Sequence, residues 1–599
     1  MNTFGDLLRY LKVYRRYIGR RMYLVFVLTV AVALTQGFGI TLLLPLLRVS
    51  QSGGEAADMG WAEQTLNDVL ATMGIAESLP GILAFIGVVF VGKGLLQFTK
   101  GGYVGYLQAQ LLRELKTKLF DAYGRMTYRY YIEQNAGHFI NVINGQVNRF
   151  FQSFTGFTGF FSKVVTTLSY FAYAFAIAWR FALMAFGVGI GLLFLFKYLN
   201  AYVRRLSRKR SAEMSTLNKL LVQSLQSLKY IVATNQTAHL RSGVVESVNR
   251  LTKYIFRQRI AGSFTSAIKE PVSVLLIVGL IALQVMVFGG EIAPIFVALF
   301  LFHRGMQSMM AIQSSWQGTM DKIGAVEMVT DEFDAVIAHE EEDGRRTTGA
   351  LQDGIEFDGV HFAYKPEDGD VLHDINISVP ANQTIALVGE SGAGKSTLVD
   401  MMTLMLRPRR GTIRVDGVSH DEIDLASWRD QIGYVSQETV VFDDTVANNI
   451  SLWQGDIEED PALRGRVIHA AERAHAHHFI QDLPNGYQTE VGDRGVRLSG
   501  GQQQRLFVAR ELFKQPNLLL LDEATSDLDT ASEQHIQNSI DALKGEVTVV
   551  IIAHRLSTVK NADRVYVLDE GRVIEEGSYH ELRAREDGEF REMVEMQRL

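Results

Sequence analysis

Six long apolar segments fill the first half of the chain, near residues 22–47, 80–106, 154–178, 181–202, 264–288 and 291–315. Each reaches the roughly 20 residues that an α-helix needs to cross the hydrocarbon core of a bilayer. Because lipid offers no hydrogen bonds to the backbone, such segments fold as helices, whose N–H and C=O groups pair within the segment. The sequence therefore predicts an all-α membrane domain of six spanning helices over residues 1–339.

The first apolar segment follows a basic stretch, and the two together resemble a secretory signal peptide. Ala31-Val32-Ala33 even has the small residues of a cleavage site. The apolar run nevertheless continues without a charge to Leu47, which is long for a signal peptide and long enough to span a bilayer. We therefore predict a retained membrane helix.

Basic residues concentrate in the two long loops of the membrane half, residues 107–153 and 203–262, whereas residues 48–79 carry mainly acidic ones. By the positive-inside rule, we predict that both termini and both long loops are cytoplasmic. Structureless loops of this length are uncommon. We therefore expect long helical extensions into the cytoplasm, with short connecting helices within residues 128–149 and 224–236.

The acidic loop 48–79 contains apolar residues at helical spacing: Trp61, Leu66, Val69, Leu70 and Met73. This pattern is typical of an amphipathic helix lying on the outer membrane surface. It is equally typical of a cap that packs on the ends of the spanning helices.

The composition changes after residue 339. Residues 340–353 are polar and charged, which predicts a linker, and residues 354–599 have the pattern of a soluble α/β domain. The net charge of −7 gives no indication of a nucleic-acid partner. The absence of cysteine excludes disulfides, thiolate catalysis and cysteine metal sites.

A phosphate-binding loop follows the short apolar run Thr384–Val388 and opens an apolar helix. This is the context that a G-x-x-x-x-G-K-[ST] motif requires. Backbone N–H groups and the helix N-terminus favour bound phosphate, so we predict that ATP binds Gly389, Ser391, Gly392, Gly394, Lys395, Ser396 and Thr397. Lys395 is expected to contact the β- and γ-phosphates, and the Ser396 hydroxyl to ligate Mg²⁺.

A second motif supplies two adjacent carboxylates. Leu518–Leu521 reads as a buried parallel strand that ends in Asp522 and Glu523. We predict that Asp522 holds Mg²⁺ and that Glu523 acts as the general base toward the attacking water.

A third motif, Leu498-Ser-Gly-Gly-Gln502, accompanies these two. On the three motifs the chain resembles the ABC transporter ATPases, of the exporter type in which membrane and nucleotide domains are fused. The resemblance implies a type IV exporter membrane domain, an α/β P-loop NTPase domain, ATP and Mg²⁺ as cofactors, and ATP-driven export.

The resemblance also implies roles for further residues. Tyr364 matches the aromatic residue that stacks on adenine, and Gln437 matches the glutamine that touches Mg²⁺ and water. His554 matches the histidine at the γ-phosphate, and Asp529 lies in the segment that links two ATP sites. One departure is Asp527, which adds a charge where the family more often has a small apolar residue.

The third motif determines the expected stoichiometry. In the family, residues matching Ser499, Gly500, Gly501 and Gln502 contact ATP that is held by a second nucleotide domain. This chain has one membrane domain and one nucleotide domain, so the resemblance implies a half-transporter. A C2 homodimer is the simplest completion, although a different partner chain would also complete the site.

Charges within the apolar segments bear on the cargo. Lys93, Lys269 and Arg304 interrupt three of these segments, and charges at such depth tend to face a cavity. A basic cavity suits an anionic headgroup. With the external segment, this pattern resembles the bacterial flippases of lipid-linked oligosaccharides, in the inner membrane and in contact with its lipids. The alternative is an exporter of peptides or amphipathic drugs.

Overall fold

The structure, a computed structural model, describes residues 3–43, 61–76, 78–134, 136–195, 197–288, 292–320, 322–365, 369–522, 530–553 and 559–596. The chain forms two compact units. The first contains residues 1–124 and 136–337, and the second contains residues 125–135 and 338–599. The predicted boundaries at 339, 340–353 and 354 remain predictions.

The first unit is helical. Its α-helices are Thr3–Ile18 (α1), Arg21–Thr41 (α2), Trp61–Thr72 (α3), Leu79–Tyr123 (α4), Ala136–Ile140 (α6), Val147–Leu195 (α7), Lys197–Gln226 (α8), Leu228–Ala233 (α9), Thr237–Phe288 (α10), Ile292–Met320 (α11) and Ile323–Ala338 (α12). A π-helical turn, Asn141–Gln146, connects α6 to α7. At 1.5 Å per residue, the 45 residues of α4 and the 49 of α7 exceed the length that a bilayer requires.

Three stretches of the described residues are long and apolar enough to cross a membrane: Arg21–Thr41, Leu79–Tyr123 and Gly137–Ile177. They coincide with the first three predicted spans. For the other three predicted spans the structure describes helical backbone in α7, α8, α10 and α11. The count of six spans stays a prediction.

Aromatic side chains form the core where α1, α4 and α7 meet. Tyr14 is fully buried and packs against Phe150, Phe154 and Phe157, with ring centroids 5.2–5.7 Å apart. Its hydroxyl donates a hydrogen bond to Ser153 Oγ at 2.9 Å. This bond satisfies the polar end of the ring, which burial would otherwise penalise.

The described part of the acidic segment 48–79 forms a packed helix. In α3, Leu66 and Leu70 are buried, and they pack with Leu42, Phe38 and Phe85. Val69 on the same helix and Met73, in the turn that follows it, remain exposed. The helix therefore caps the ends of the neighbouring helices and also presents an apolar edge; Trp61 opens the helix, and residues 48–60 lie outside the described residues.

The second unit is built on strands Gly354–Phe362 (β1), Leu372–Pro380 (β2), Thr384–Gly389 (β3), Arg410–Val415 (β4), Val418–Ser419 (β5), Ile432–Val435 (β6), Leu518–Asp522 (β7), Thr548–Ile552 (β8), Arg564–Asp569 (β9) and Arg572–Gly577 (β10). They form a four-stranded sheet of order β2-β1-β4-β5 and a six-stranded sheet of order β10-β9-β3-β8-β7-β6. Strands β3, β6, β7, β8 and β9 run parallel, and β10 pairs antiparallel with β9.

Short helices surround these sheets. They are Tyr128–Glu133 (α5), Lys395–Met402 (α13), Leu425–Arg429 (α14), Val446–Ser451 (α15), Pro461–Arg473 (α16), His477–Gln481 (α17), Gly500–Phe513 (α18), Thr530–Asp541 (α19), Tyr579–Ala584 (α20) and Glu589–Met596 (α21). Three short helices lie within the segments predicted to connect long helices. These are α5, which belongs to the second unit, and α6 and α9, which belong to the first.

The polar segment 340–353 is fixed to the second unit rather than extended into solvent. Glu341 forms a bidentate ion pair with Arg429, with N–O distances of 2.6 and 2.8 Å. Asp343 accepts a hydrogen bond from the backbone N–H of Leu425 at 2.8 Å. Bidentate pairs of this kind constrain orientation as well as distance.

The packing of α3 can be tested at Leu70. We expect Leu70→Ala to loosen α3 by roughly 2–4 kcal/mol, because a fully buried side chain leaves a cavity. Hydrogen exchange of peptides from residues 61–72 should accelerate, while Val69→Ala, at an exposed position of the same helix, should leave it nearly unchanged. Equal acceleration in both variants would contradict the packed arrangement.

Candidate functional site

The phosphate loop lies at the carboxyl end of β3, a fully buried strand that pairs in parallel with β8 and β9. Gly389, Gly392 and Gly394 have φ of 154°, 90° and 96°, values that other residues rarely adopt. A Cβ at Gly389 would lie 2.1 Å from the carbonyl oxygen of Leu568. Only glycine therefore permits this close approach of the loop to β9.

The loop opens α13 without a side-chain cap, because its N-cap residue is Gly394. Ser391 and Gly392 are exposed, and a Cβ at Gly392 would meet nothing within 4 Å. The first N–H groups of the helix consequently lie beside open space, which is an arrangement that favours a phosphate. The residues present fit the phosphates of ATP.

Lys395 is buried, and its amino group donates hydrogen bonds to the carbonyl oxygens of Gly389 at 2.9 Å and Glu390 at 2.8 Å. Its positive charge therefore lies inside the loop. Ser396 is exposed, and its hydroxyl donates to Asp522 Oδ1 at 3.5 Å, although 126 residues separate the two. A hydroxyl beside a buried carboxylate at a strand end is a donor set that suits Mg²⁺.

Two residues that the sequence patterns missed lie beside Ser396 and Asp522 and complete this part of the site. Asp400 lies one helical turn after Ser396 on α13, and Tyr434 on β6 donates its hydroxyl to Asp400 Oδ1 at 3.4 Å. The spacing of four residues from Ser396 was the available signal. Burial raises the pKa of Asp400 to about 6; the Tyr434 hydrogen bond opposes this shift and the charge of Asp522 adds to it.

Tyr364 also contacts α13. Its hydroxyl is 3.0 Å from the hydroxyl of Thr397, and its ring meets Phe362 edge-on at 5.0 Å. Thr397 is buried, so this pair anchors the predicted adenine-binding aromatic to the phosphate-binding helix. Tyr128 of α5 packs into the same region, and burial together with nearby Asp400 raises its pKa.

The third motif forms the start of α18. Ser499 and Gln502 cap each other reciprocally: Ser499 Oγ accepts from the Gln502 N–H at 3.3 Å, and Gln502 Oε1 accepts from the Ser499 N–H at 2.9 Å. Gly500 is exposed with open space at its Cβ position, whereas Gly501 is buried. The motif therefore presents a rigid helix N-terminus to solvent.

The segment that carries Gln437 is tied to α18. Gln437 itself is exposed, but Thr439 donates to Gln504 Oε1 at 2.6 Å and Arg510 donates to the carbonyl of Val440 at 2.7 Å. The Arg510 guanidinium lies between the rings of Phe442 and Phe507, at 4.9 and 5.3 Å. Burial lowers its pKa to about 10.

Four of the predicted site residues, Glu523, Asp527, Asp529 and His554, lie outside the described residues. Strand β7 ends at Asp522, so Glu523 is the next residue along the chain, and β8 ends at Ile552, two residues before His554. Their roles stay predictions.

The comparisons with known proteins agree with this geometry. Residues 372–526 match the family model of the ABC transporter, and residues 22–306 match that of the ABC transporter transmembrane region. The chain belongs to the ABC transporter family. Its membrane and ATP-binding regions are fused, as in the exporters, and it is an ATPase that couples hydrolysis to transport across a membrane.

Several relatives cover most of the chain. It is 30% identical to an ATP-dependent lipid A-core flippase of Chromohalobacter salexigens, over 86% of this chain and 88% of that protein. It is 29% identical to the heterocyst differentiation ATP-binding protein HepA of Nostoc, over 82% and 80%. A solved structure of a bacterial Atm1-family ABC exporter with ATP bound aligns with a TM-score of 0.76 and 26% identity, over 97% of this chain and 100% of that one.

The three cations predicted to face a membrane cavity lie on three different helices. Lys93 on α4 and Arg304 on α11 interact electrostatically with each other. The Lys93 amino group lies 4.9 Å from the ring centroid of Phe90, and the Arg304 guanidinium lies 5.5 Å from that of Phe300. Lys269 lies in α10, and the structure describes only its backbone.

The buried carboxyl of Asp400 gives a pH prediction. Its raised pKa means that the folded chain holds this proton more tightly, so ionised Asp400 lowers stability above pH 6 and the effect fades as the pH falls from about 6 toward 3.8. Asp400→Asn should add on the order of 1–2 kcal/mol at pH 7.5, a rise of roughly 3–6 °C in the thermal midpoint. At pH 5 the gain should be smaller.

Asp444 is the matched control. Hydrogen bonds from Trp453, Asn448 and the backbone of Thr445 lower its pKa, so its carboxylate stabilises the fold at pH 7.5. Asp444→Asn should lower the midpoint there, with a loss that shrinks as the pH falls. A stabilisation by Asp400→Asn that is the same at both pH values would contradict the assignment.

Proposed function

We propose that the chain is an ATP-driven flippase for a lipid-linked oligosaccharide or another anionic glycolipid. The observation that carries this proposal is that Lys93 and Arg304 of the membrane unit interact electrostatically and that each lies against an aromatic ring. Two like charges repel, and bringing them together in a membrane helix bundle is unfavourable unless an anion or a water-filled cavity compensates. No acidic partner of either cation occurs among the side chains that the structure describes.

A second pair of cations adds to this basic surface. The amino group of Lys100 donates to Ser162 Oγ at 2.7 Å, and Lys100 also interacts electrostatically with Lys163. Cation–π contacts hold Lys93 and Arg304 in place and leave their N–H groups able to donate. Phosphate oxygens are the natural acceptors for such donors.

An apolar groove offers room for a lipid chain. It has a volume of about 360 Å³ and lies between α2, α3 and α7, lined by residues such as Phe38, Leu66, Tyr173 and Ile177. The names of the lipid A-core flippases similar to this chain also favour a lipid cargo. The second candidate, an exporter of amphipathic drugs or peptides, is favoured by the apolar lining of the same groove.

For the ATPase step, we propose that Lys395 and the N–H groups of the loop bind the phosphates, and that Ser396, Gln437 and Asp522 hold Mg²⁺. When bound, the ion neutralises charge on the phosphates. Glu523 accepts the proton of the attacking water, His554 donates to the γ-phosphate, and Tyr364 stacks on adenine. Asp529 belongs to the segment between the two sites.

We further propose that two copies of the chain form the working transporter in a bacterial inner membrane, with six spans per chain and cytoplasmic termini. Ser499, Gly500, Gly501 and Gln502 then contact ATP bound to the partner. The exposure of this helix N-terminus supports the proposal. So do Leu228, Tyr230 and Val232, large apolar side chains that α9 leaves exposed.

The composite site can be tested by mixing two defective chains. Lys395→Ala disables the phosphate loop, and Gly500→Asp places a charge where the partner's ATP docks without a clash inside its own chain. Each homodimer should trap almost no nucleotide. Co-expressed and purified through two tags, the mixed dimer should trap about one nucleotide, because one site has both intact parts.

Gly465→Asp is the control, because it also adds a carboxylate at an exposed helical glycine with open space around it. It should trap nucleotide as the parent does. A mixed dimer that traps no more than either homodimer would show that each chain completes its own site.

The cargo proposal is tested at Arg304. Arg304→Ala should reduce flipping of a fluorescent polyprenyl-pyrophosphate glycan in proteoliposomes by roughly tenfold to a hundredfold, since one charge-assisted contact contributes about 1.5–3 kcal/mol. Lys should restore transport better than Met, while phosphate release without cargo stays close to that of the parent.

Arg241→Ala, an exposed cation at the start of α10, is the matched control and should transport normally. If Arg304→Ala and Arg304→Met flip the glycan as well as the parent, the anionic cargo is wrong. ATPase stimulation by a panel of amphipathic drugs and peptides would then favour the second candidate.

A further inference from the structure

The ends of β1 and β2 bring together two histidines and an aspartate that the transport function does not use. His361 is the penultimate residue of β1, Asp370 precedes β2, and His373 is its second residue. One candidate ligand atom from each lies within 4.8 Å of the other two. All three side chains are partly exposed, so an ion could reach them from solvent.

Strand pairing explains why the three side chains meet. Phe362 pairs with Leu372 of β2, with an irregular register between Val360 and Phe362, and His361 pairs with Arg410 of β4 on the other side of β1. The neighbours Val360 and Phe362 point into the core, so His361 faces away from it. The two imidazoles lie beside each other at the strand ends, with ring centroids 6.4 Å apart and an angle of 87° between the ring planes.

Neighbouring groups contact each of the three residues. Asp370 Oδ2 is 3.2 Å from His361 Nδ1, while Asp370 Oδ1 pairs with Arg409 at 3.4 Å. The backbone N–H of His373 donates to the carbonyl of Gly571 at 2.8 Å, and a Cβ at Gly571 would lie 3.2 Å from the His373 ring. Carboxylates that bind metals often keep an outer hydrogen bond of the kind that Arg409 provides.

We propose that His361, Asp370 and His373 form a binding site for a first-row divalent transition-metal ion of the zinc class. Two imidazoles and one carboxylate suit Zn²⁺ or Co²⁺ and leave a coordination position for water. Tetrahedral ligand atoms lie roughly 3.4 Å apart when the bonds are about 2.0–2.1 Å long. His361 Nδ1 and Asp370 Oδ2, 3.2 Å apart, already have this spacing. Rotation of the partly exposed side chains brings the remaining ligand atoms to the same separation.

The site differs chemically from the Mg²⁺ position at Ser396 and Asp522. Mg²⁺ prefers oxygen ligands, whereas imidazole nitrogen selects the later transition metals. A bound ion would join the end of β1 to the start of β2, on either side of Tyr364 in the sequence. It should therefore raise the thermal stability of the second unit, because it binds the folded chain only.

The test uses the full chain without a histidine tag, free of nucleotide and cargo. Titration with Co²⁺ should produce a visible absorption band that saturates at about one Co²⁺ per chain. Added Zn²⁺ should displace the Co²⁺ and remove the band. Zn²⁺ alone should raise the thermal midpoint. His361→Gln and His373→Gln should each weaken Co²⁺ binding by roughly tenfold or more, and together they should abolish both the band and the shift.

His478→Gln is the control, because His478 is 93% exposed and lies away from the cluster on α17. It should bind Co²⁺ as the parent does, and all variants should bind trinitrophenyl-ATP alike, which verifies folding. Absence of the band in the parent, or a band that survives loss of both histidines, would overturn the proposal. The cluster would then be an ion-pair network only, and the transport function would be unaffected.

Discussion

Parallel pairing of β3, β8 and β7 is the constraint on which the ATP site depends. In a parallel sheet the carboxyl ends of all strands meet at one edge, so the loop after β3 and the acid that ends β7 arrive at the same place. Ser396 and Asp522 touch there although the chain makes a long excursion between them. The glycine loop adds the second requirement, a backbone that closes around phosphate at a helix N-terminus.

Concentrating acids at this edge has an electrostatic consequence. Asp400 lies near Asp522 in a partly buried region, and without a cation the two negative carboxylates repel each other. Tyr434 and Tyr128 pack around the same region, which ties β6 and the short helix α5 to the phosphate-binding helix. The charge of Asp400 therefore acts on Tyr128 of α5 within the second unit.

The membrane unit concentrates the opposite charge. Lys93 interacts electrostatically with Arg304, and Lys100 with Lys163, within helices that carry long apolar stretches. Aromatic rings and a serine hydroxyl hold these cations without neutralising them. The two units thus differ in their chemistry: the second unit holds acids beside the phosphate loop, and the first holds several cations.

The sequence by itself determined those features that depend only on the residues within one segment. Apolar length indicates membrane helices, and the glycine-rich loop and the Leu518–Asp522 strand identify the ATP site, because hydrophobicity and backbone freedom are properties of single segments. The resemblance to the ABC transporters followed from these motifs, and the comparisons confirmed it. The sequence did not reveal that Arg429 anchors residues 340–353, because Arg429 and its partner Glu341 are 88 residues apart.

Only the tertiary structure decided which distant side chains share a site. Lys93 interacts electrostatically with Arg304, Asp400 accepts a hydrogen bond from Tyr434, and the rings of His361 and His373 are neighbours. These pairs depend on helix packing and strand register, which act between segments that no local pattern relates. The tertiary structure also showed that Leu66 and Leu70 of α3 pack with the neighbouring helices while Val69 of the same helix stays exposed. Burial depends on what the rest of the chain places opposite a side chain, and that is a property of the whole fold.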